Sequence, residues 1–325
     1  MTNKKVLITG GGGYVGSTAV RYLLELGYKV YVLDNLIHGA DGVSCFLGHT
    51  GYNFVKGDIR DKKTVDEVVK EVDYVVHLAA LVGDAACKKN PDETRSVNID
   101  GTKNILHSSL KNNIKRFLFF STCSSYGLQD ENLIVKEDAP LNPVSLYAET
   151  KISMEDYIKS SSDNKIPYVI LRPSSVHGPS PRMRFDLTVN HFVKDAVLDK
   201  KLEIYGGNLW RPLMWVGEVG RVIDKILSAD LKLIKNQIFN LGTTDGNKRK
   251  IDIAEIIKKK YIPELEIKRL GKDEDLRSYR VDFSKIEKTI DFKSEKNLES
   301  AIGELVFSVK NNLFGDTNRK QFKNH

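Results

Sequence analysis

KKVLITGGGGYVG, residues 4–16, is the stretch that decides the fold of this chain. A short apolar run ends at four consecutive glycines, and apolar residues at helical spacing follow. This order predicts a buried strand, a tight turn and the start of a helix. The N–H groups and the dipole of a helix start favour anions, and glycines let the backbone approach them closely. A plain glycine-rich turn is the alternative, but the flanking strand and helix favour a dinucleotide site.

We therefore expect the pyrophosphate of a dinucleotide to bind against five residues of this stretch: Gly10, Gly13, Tyr14, Val15 and Gly16. The spacing of the glycines is one residue looser at the front than the usual GxGxxG pattern of dinucleotide folds.

The composition is that of a globular protein. The chain has 325 residues, 41% hydrophobic and 29% charged, which suffices for one large core or two linked ones. No apolar run approaches the roughly 18–20 residues of a membrane span, and the first residues, MTNKK, lack a signal-peptide pattern. The separated cysteines, Cys45, Cys87 and Cys123, form no metal motif and suit a reducing compartment. We expect a cytoplasmic protein without a metal or a membrane partner.

The net charge of +7 raises the question of nucleic-acid binding. The lysines are dispersed, and the dense clusters at 248–250 and 258–260 contain no interleaved aromatic residues. The second cluster lies on a predicted helix as a solvated face. We expect no nucleic-acid partner, because a diphosphate substrate accounts equally well for a basic protein.

A second buried strand, VYVLD, ends at Asp34, 18 residues after Gly16. An acidic residue at this point hydrogen-bonds the adenosine ribose and repels a 2′-phosphate. The residues that follow, 35–39, include no arginine or lysine to accept such a phosphate. The pattern predicts NAD rather than NADP, with a turn-capping role for Asp34 as the alternative.

Strand and helix patterns continue to alternate through residue 173. Strands are predicted at 53–57, 73–78, 116–120 and 168–171, with helices over 63–70 and 95–112 and from residue 147. This alternation predicts an α/β fold, a doubly wound Rossmann sheet of parallel strands. Ligands of such sheets lie at the carboxyl ends of the strands. Asp34, Ala79, Ala80 and the polar run 121–127 all fall at those ends.

The pattern loosens after Pro173, since four of the nine prolines fall between Pro173 and Pro212. We expect an irregular cap there, a return to the sheet at 215–216 and 237–241, and helices over 251–261 and 298–312. The last dozen residues are polar, and we expect them to be frayed. The predicted domains are an NAD-binding Rossmann domain of residues 1–172 that also receives about 213–243, and a smaller C-terminal substrate-binding domain of 173–212 and 244–325.

Tyr147 and Lys151 lie four residues apart on one predicted helix, so their side chains share a face. Tyrosine, with a pKa of about 10, is a poor base at neutral pH, and a nearby ammonium group favours the phenolate. A surface pair is the alternative reading of this spacing. The glycine loop, the acid at residue 34 and the Ser/Thr run favour a catalytic pair.

Together these motifs resemble the extended short-chain dehydrogenase/reductase family, in particular its NAD-dependent nucleotide-sugar epimerases and dehydratases. The matching residues are 9–16, 34–35, 57–59, 77–80, 97–98, 121–127, 147–151 and 171–173. They occur in the family's order over about the first 180 residues, and residues 211–219 extend the likeness towards residue 245.

The resemblance implies a role for each matching residue. Tyr147 would exchange a proton with a sugar hydroxyl, Lys151 would lower the pKa of Tyr147 and hold the nicotinamide ribose, and Thr122 would hydrogen-bond the reacting oxygen. The implied NAD contacts beyond the glycine loop are Asp34, Asn35, Asp58, Ile59, Leu78, Ala79, Ala80, Asn98, Tyr147, Lys151 and Pro173.

The resemblance also implies a substrate site. Arginine forks match phosphate oxygens, so Arg182, Arg184, Arg211 and Arg277 are expected to bind the diphosphate and nucleoside, with surface ion pairs as the alternative. The implied substrate contacts are Val82, Thr122, Ser124, Arg182, Asn190, Arg211 and Arg277. The segments 180–184 and 81–84 resemble a subgroup that acts on surface-polysaccharide precursors, including heptose nucleotides, and that contains dehydrogenases.

The chain departs from the dehydratase branch directly after Thr122. The resembling 4,6-dehydratases carry an Asp-Glu pair there, and this chain has Cys123 and Ser124. Without that pair, elimination of water lacks a proton carrier. We expect Cys123 to pack rather than to act as an acid or base, and His177 to pack or to contact the cofactor edge.

The sequence therefore predicts a cytoplasmic, NAD-dependent nucleotide-sugar 4-epimerase of surface-polysaccharide biosynthesis, a homodimer through the helices around Ile105 and Met154. A 4-dehydrogenase or a 4-keto reductase on the same substrate class is the alternative. A 4,6-dehydratase is disfavoured, and so is a non-catalytic NAD-sensing protein, since fold alone does not fix function.

Overall fold

A computed structural model describes residues 4–130, 132–162, 165–271 and 277–324. Within them, a seven-stranded parallel sheet is built from β1 (Lys5–Thr9), β2 (Lys29–Asp34), β3 (Tyr52–Lys56), β4 (Tyr74–His77), β5 (Arg116–Phe120), β6 (Tyr168–Pro173) and β7 (Gln237–Leu241). The strand order is β7-β6-β5-β4-β1-β2-β3. Val6 of β1 lies between Val30 of β2 and Tyr74 of β4. The predicted doubly wound Rossmann sheet is confirmed, and its order reverses between β1 and β4.

The remaining elements connect and cover these strands. The α-helices are Tyr14–Glu25, Asp41–Ser44, Lys62–Val69, Asp84–Lys89, Pro91–Arg95, Thr102–Lys111, Leu146–Ser162, Thr188–Leu198, Glu218–Ser228, Leu231–Ile234, Lys250–Lys260, Ser284–Ile290 and Leu298–Lys310. A π-helical turn, Ser96–Gly101, joins two of them, and 3₁₀ turns lie at Cys123–Tyr126, Thr244–Gly246 and Lys320–Phe322. Short strands pair as Trp210–Arg211 with Lys248–Arg249, Leu213–Trp215 with Ser175–His177, Glu266–Arg269 with Lys201–Ile204, and Arg280–Val281 with Ile134–Val135.

Both faces of the large sheet are covered. Val6 and Ile8 of β1 pack in a core with the helices Tyr14–Glu25 and Glu218–Ser228. Leu7 points to the opposite face, into a core with the helices Thr102–Lys111 and Leu146–Ser162. Alternate side chains of a strand point to opposite faces, so a sheet covered on both sides needs apolar residues throughout. This explains why the strands of the sequence are continuous apolar runs.

A further core, here called the second core because the second half of the chain builds most of it, lies beside the sheet. It is formed by the helices Thr188–Leu198, Lys250–Lys260 and Leu298–Lys310 with the strands Lys201–Ile204 and Glu266–Arg269. The ring of Tyr14, from the first helix after the glycines, belongs to this core. The second core therefore meets the sheet at the glycine loop, and the exact domain bounds stay a prediction.

Two expectations about the second half of the chain are wrong. Residues 215–216 do not return to the large sheet, because Leu213–Trp215 pairs with Ser175–His177. The segment after the last long helix is not frayed. Phe314 and Phe322 pack edge-on against Phe185, with ring centroids 5.4 and 5.6 Å away. These two apolar anchors hold a segment that is otherwise polar.

A buried ion pair connects β6 to the helix Leu146–Ser162. Arg172 donates to both carboxylate oxygens of Glu155, at 3.0 and 2.7 Å, and also to the hydroxyl of Tyr126 at 3.0 Å. Only 3% and 1% of the two side chains are exposed. Glu155 lies on the same helix as Tyr147 and Lys151, four residues beyond Lys151. The ion pair therefore fixes the position of that helix at the carboxyl end of the sheet.

Replacing Glu155 by Gln is expected to lower the free energy of unfolding by about 3–5 kcal/mol, because it leaves the buried Arg172 charge uncompensated. Urea unfolding measures the change. The matched control is Asp156→Asn, which breaks an exposed pair with Lys159 on the same helix and should leave stability nearly unchanged. Equal losses in both variants would contradict the assignment.

Candidate functional site

A cleft of about 560 Å³ opens at the carboxyl ends of the strands, between the large sheet and the second core. The predicted cofactor residues that line it are Gly10, Gly13, Tyr14, Val15, Gly16, Asp34, Asn35, Asp58, Ile59, Leu78, Ala79, Ala80, Tyr147, Lys151 and Pro173. The predicted substrate residues that line it are Val82, Thr122, Ser124, Arg182, Arg211 and Arg277. Chain segments from β1 to residue 277 thus meet around one cavity.

The glycine loop fits a phosphate group. Gly10 has φ +72°, and a Cβ there would lie 2.8 Å from the Cα of Ala79. A Cβ on Gly16 would lie 2.1 Å from the carbonyl oxygen of Gly10. The helix Tyr14–Glu25 then begins with no capping side chain from the described residues and no acid in its first turn. Its first N–H groups therefore face the cleft with the positive end of the helix dipole, as a pyrophosphate requires.

Asp34 closes the other side of the loop. Its carboxylate accepts hydrogen bonds from the N–H groups of Gly12, at 2.9 Å, and Leu36, at 2.8 Å. Burial raises the pKa of this carboxyl group, and the two N–H groups and Arg182 oppose the rise. Asp34 thus caps the turn and also lines the cleft, so the two alternatives for this residue are compatible.

Two predicted contacts lie behind the lining. Asn98 binds the backbone of Leu81, accepting from its N–H at 2.8 Å and donating to its carbonyl at 3.0 Å. Asn190 is fully buried and donates to the hydroxyl of Tyr14, at 3.1 Å, and to the carbonyl of Arg184, at 2.8 Å. Both asparagines shape lining segments. The hydroxyl of Tyr14 donates to the carbonyl of Gly178 at 2.7 Å. Tyr14 therefore lines the cleft with its backbone rather than with its hydroxyl group.

Tyr147 and Lys151 reach the cleft from the helix Leu146–Ser162. The Lys151 ammonium donates to the carbonyl of Phe120 at 2.8 Å, and burial lowers its pKa to about 7. Burial raises the pKa of Tyr147, and the cations that oppose this rise are Arg184 and Arg277.

The turn after β5 presents Thr122 and turns Cys123 inward. The Thr122 hydroxyl oxygen accepts from the N–H of Ser124 at 3.0 Å and caps the 3₁₀ turn Cys123–Tyr126. The Cys123 thiol donates to the carbonyl of Arg172 at 3.0 Å within a small apolar core. The packing prediction for Cys123 is confirmed. His177 is also buried, which lowers its pKa to about 3.

An ion pair that the sequence analysis missed spans the cleft. Arg277 pairs with Asp84 at 2.8 Å and donates to the hydroxyl of Ser124 at 3.2 Å. Asp84 is the first residue of a helix that follows Gly83, whose φ is +101°. The sequence signal was an acid directly after a glycine in the loop that follows β4. Its partner, Arg277, lies far along the chain.

The remaining arginines occupy distinct parts of the cleft. Arg184 forms a bidentate pair with Asp186 at 2.9 and 2.7 Å, which was the ion-pair alternative. Arg211 donates to the carbonyl groups of Trp210 and Arg277. Arg182 is 2% exposed and lies at the Asp34 end of the cleft, beside Gly42. Further lining residues that were missed include His38, Asp186, Tyr279 and Asn324.

Within the described part of the chain, no helix is long and apolar enough to cross a membrane. Among the same residues, no cluster of three or more histidine, cysteine or acidic side chains could hold a metal ion.

The fold and the order of the motifs define a Rossmann-type class of proteins, the extended short-chain dehydrogenases/reductases. More narrowly, the chain belongs to the NAD-dependent epimerase/dehydratase family, whose sequence model matches residues 6–242. Its cofactor is NAD.

Individual proteins of this family are similar over most of their length. A putative UDP-glucose 4-epimerase of Methanocaldococcus jannaschii is 31% identical over 94% of this chain and 99% of its own. A low-salt glycan biosynthesis protein of Haloferax volcanii is 31% identical over 73% of this chain and 76% of its own. The structure of a UDP-N-acetylglucosamine 4-epimerase from Methanobrevibacter ruminantium, in complex with UDP-N-acetylmuramic acid, superposes with a TM-score of 0.84 at 28% identity, covering 94% and 98% of the two chains.

The lowered pKa of Lys151 predicts a pH dependence of stability. From pH 7 to pH 9 the unfolded chain, whose lysines titrate near 10.4, binds a proton at this site that the folded NAD-free protein has lost. Stability therefore rises with pH in this window, by at most about 1.4 kcal/mol per pH unit. Urea unfolding of the wild type and of Lys151→Met measures this dependence. The free energy of unfolding of the wild type should rise relative to that of the variant as the pH increases from 7 to 9. A difference independent of pH would contradict the prediction.

Proposed function

We propose that the protein is an NAD-dependent nucleotide-sugar 4-epimerase that makes sugar precursors for a surface polysaccharide. The observation that carries this proposal is the convergence of Thr122, Tyr147 and Lys151 on one cleft beside the glycine loop. The similarity to 4-epimerases over nearly the whole chain supports it.

The three side chains supply the proton chemistry. When bound, NAD supplies the acceptor and donor of hydride at sugar C4. Tyr147 takes the proton of the C4 hydroxyl and later returns it, and Thr122 hydrogen-bonds the same oxygen. Lys151 lies buried one helical turn from Tyr147, where its protonated form would favour the phenolate. Retaining the ketone until the hydride returns to its other face makes the reaction an epimerisation.

Cationic side chains on the far wall suit the diphosphate. Arg211 and Arg277 lie next to each other, since Arg211 donates to the Arg277 carbonyl. Guanidinium groups bind phosphate oxygens with two parallel hydrogen bonds. We propose these two as the diphosphate ligands, with Val82 and Ser124 against the sugar. Asn190 would act through the Arg184 carbonyl that it binds rather than by touching the substrate.

The turn after Thr122 disfavours a dehydratase. A dehydratase needs an acid and a base beside C5 and C6, and here the Cys123 thiol is buried with a raised pKa and donates to the backbone carbonyl of Arg172. Ser124, which follows, binds Arg277. The second candidate is a 4-dehydrogenase or 4-keto reductase on a related substrate such as a heptose nucleotide, because Thr122, Tyr147 and Lys151 serve it equally. Release of the ketone from the protein would distinguish a 4-dehydrogenase from an epimerase.

Assembly and compartment are part of the same proposal. Ile105 and Met154 are buried beneath the helices Thr102–Lys111 and Leu146–Ser162, so a homodimer would use the outward faces of those helices. His107 and Tyr157 join these faces by a hydrogen bond of 2.6 Å. The cysteines Cys45, Cys87 and Cys123 are all free thiols, which suits the reducing cytoplasm.

Replacing Tyr147 by Phe is expected to reduce turnover about 10²- to 10⁴-fold, because the proton at the sugar oxygen loses its acceptor. NAD binding, measured by calorimetry, should change little. The control is Tyr205→Phe, at an exposed tyrosine. Unchanged biological output from Tyr147→Phe with NAD still bound would favour the NAD-sensing alternative.

Mass spectrometry on UDP-, GDP-, CDP- and dTDP-sugars incubated with the protein and NAD tests the reaction class. An epimerase gives a product of unchanged mass and shifted retention. A product lighter by two hydrogens would establish the dehydrogenase instead. Loss of water would contradict the argument from Cys123 and Ser124.

A further inference from the structure

Residues 314–324, here called the strap segment, fold back over the Asp34 end of the cleft. The backbone N–H of Phe185 donates to the carbonyl of Phe322 at 2.9 Å, and the rings of Phe314 and Phe322 enclose that of Phe185. Phe185 and Phe322 are 2% and 3% exposed. The strap segment is therefore packed onto residues 182–186 by an aromatic cluster.

Polar contacts extend from the strap segment to the cofactor side of the cleft. Gln321 donates to the carboxylate of Asp41 at 2.7 Å, and Arg182 donates to the carbonyl of Lys323 at 3.2 Å. Asp41 begins the short helix after β2, and its neighbour Gly42 lies against the carbonyl of Gly12 and against Arg182. The strap segment thus holds the loop after β2 against the glycine loop.

Two buried polar atoms at this end have no hydrogen-bond partner among the described residues. They are the Nε of Arg182 and the side-chain oxygen of Asn324, and both residues line the cleft. Native structures leave few buried polar atoms unpaired, so a donor and an acceptor in this state point to a polar ligand. Arg182 is a buried cation, and the acids whose charge acts on it include Asp186, Asp34 and Asp41.

The ligand chemistry at this position is that of adenosine. An acid at the end of β2 binds the adenosine ribose in dinucleotide folds, and Asp34 occupies that place. We propose that Arg182 and the strap segment belong to the NAD site, where they hold the adenosine half of the cofactor in place. Arg182 then contacts the cofactor rather than the diphosphate of the sugar substrate.

This inference rests on the proposed function, in which NAD returns to its oxidised form in every turnover. An enzyme of that kind gains from keeping its cofactor bound, because each loss of NAD interrupts catalysis. A dehydrogenase must release NADH after each cycle. A segment that closes over the adenosine half suits the first kind of enzyme.

Calorimetric titration with NAD and with ADP-ribose tests the proposal. Arg182→Met and Gln321→Ala are each expected to raise Kd for both ligands, by roughly threefold to tenfold for the loss of a hydrogen bond. The two ligands should be affected equally, because ADP-ribose lacks only the nicotinamide ring of NAD and keeps the whole adenosine half. The control is Lys320→Ala, an exposed residue of the same turn, which should leave both Kd values unchanged.

Two results would overturn the proposal. If thermal stability falls in Arg182→Met and Gln321→Ala while both Kd values stay the same, the strap segment only supports the fold. If KM for the sugar rises in Arg182→Met and Kd for NAD does not, Arg182 belongs to the substrate site. Failure of the epimerase proposal is distinguishable, since Kd is measured without any sugar.

Discussion

The close approach of backbone around the glycine loop is the constraint on which the rest of the structure depends. A side chain at Gly16 would meet the Gly10 carbonyl at 2.1 Å, and one at Gly42 would meet the Gly12 carbonyl at the same distance. At Gly10 the chain also touches the backbone of Ala79, after β4. The turn after β1, the loop after β2 and the end of β4 are therefore locked together. Helix starts and strand ends converge there because no side chain keeps them apart.

Behind that junction, buried polar groups fix the elements that carry the reactive residues. His77 of β4 bridges the hydroxyls of Thr9 and Thr102, at 2.7 and 2.9 Å, and burial lowers its pKa to about 3. It therefore stays neutral at physiological pH. Arg172 and Glu155 fix the neighbouring helix in a similar way, but by an ion pair. Such fully partnered networks favour one arrangement of a core, since each alternative leaves a polar group unpaired.

Local patterns predicted most of the sheet and much of the cleft. The bounds of β5 agree with the prediction to the residue, and the glycine loop, Asp34, Tyr147 and Lys151 all reach one cavity. Each of these signals is contained in a short stretch of sequence. Their roles in binding and catalysis stay predictions.

The remainder depends on contacts between distant residues. Asp84 forms an ion pair with Arg277, and the backbone N–H of Asn324 donates to the carboxylate of Asp186. No local sequence pattern indicates either partner. The segment of residues 314–324 looks like a polar tail because only two phenylalanines anchor it. The predicted strand at 215–216 shares only Trp215 with the strand Leu213–Trp215, and strand propensity does not specify which sheet a strand joins.

The pairing of Arg277 with Asp84 links ligand charge to the shape of the cleft. The arginine lies in the chain between the strand Glu266–Arg269 and the helix Leu298–Lys310 of the second core, and the aspartate begins the helix Asp84–Lys89 after β4. A guanidinium group carries five N–H donors, and the partners of Arg277 include the Asp84 carboxylate and the Ser124 hydroxyl. An anion that drew Arg277 away from Asp84 would also release the start of the helix Asp84–Lys89. The two sides of the cleft are therefore coupled through one guanidinium group.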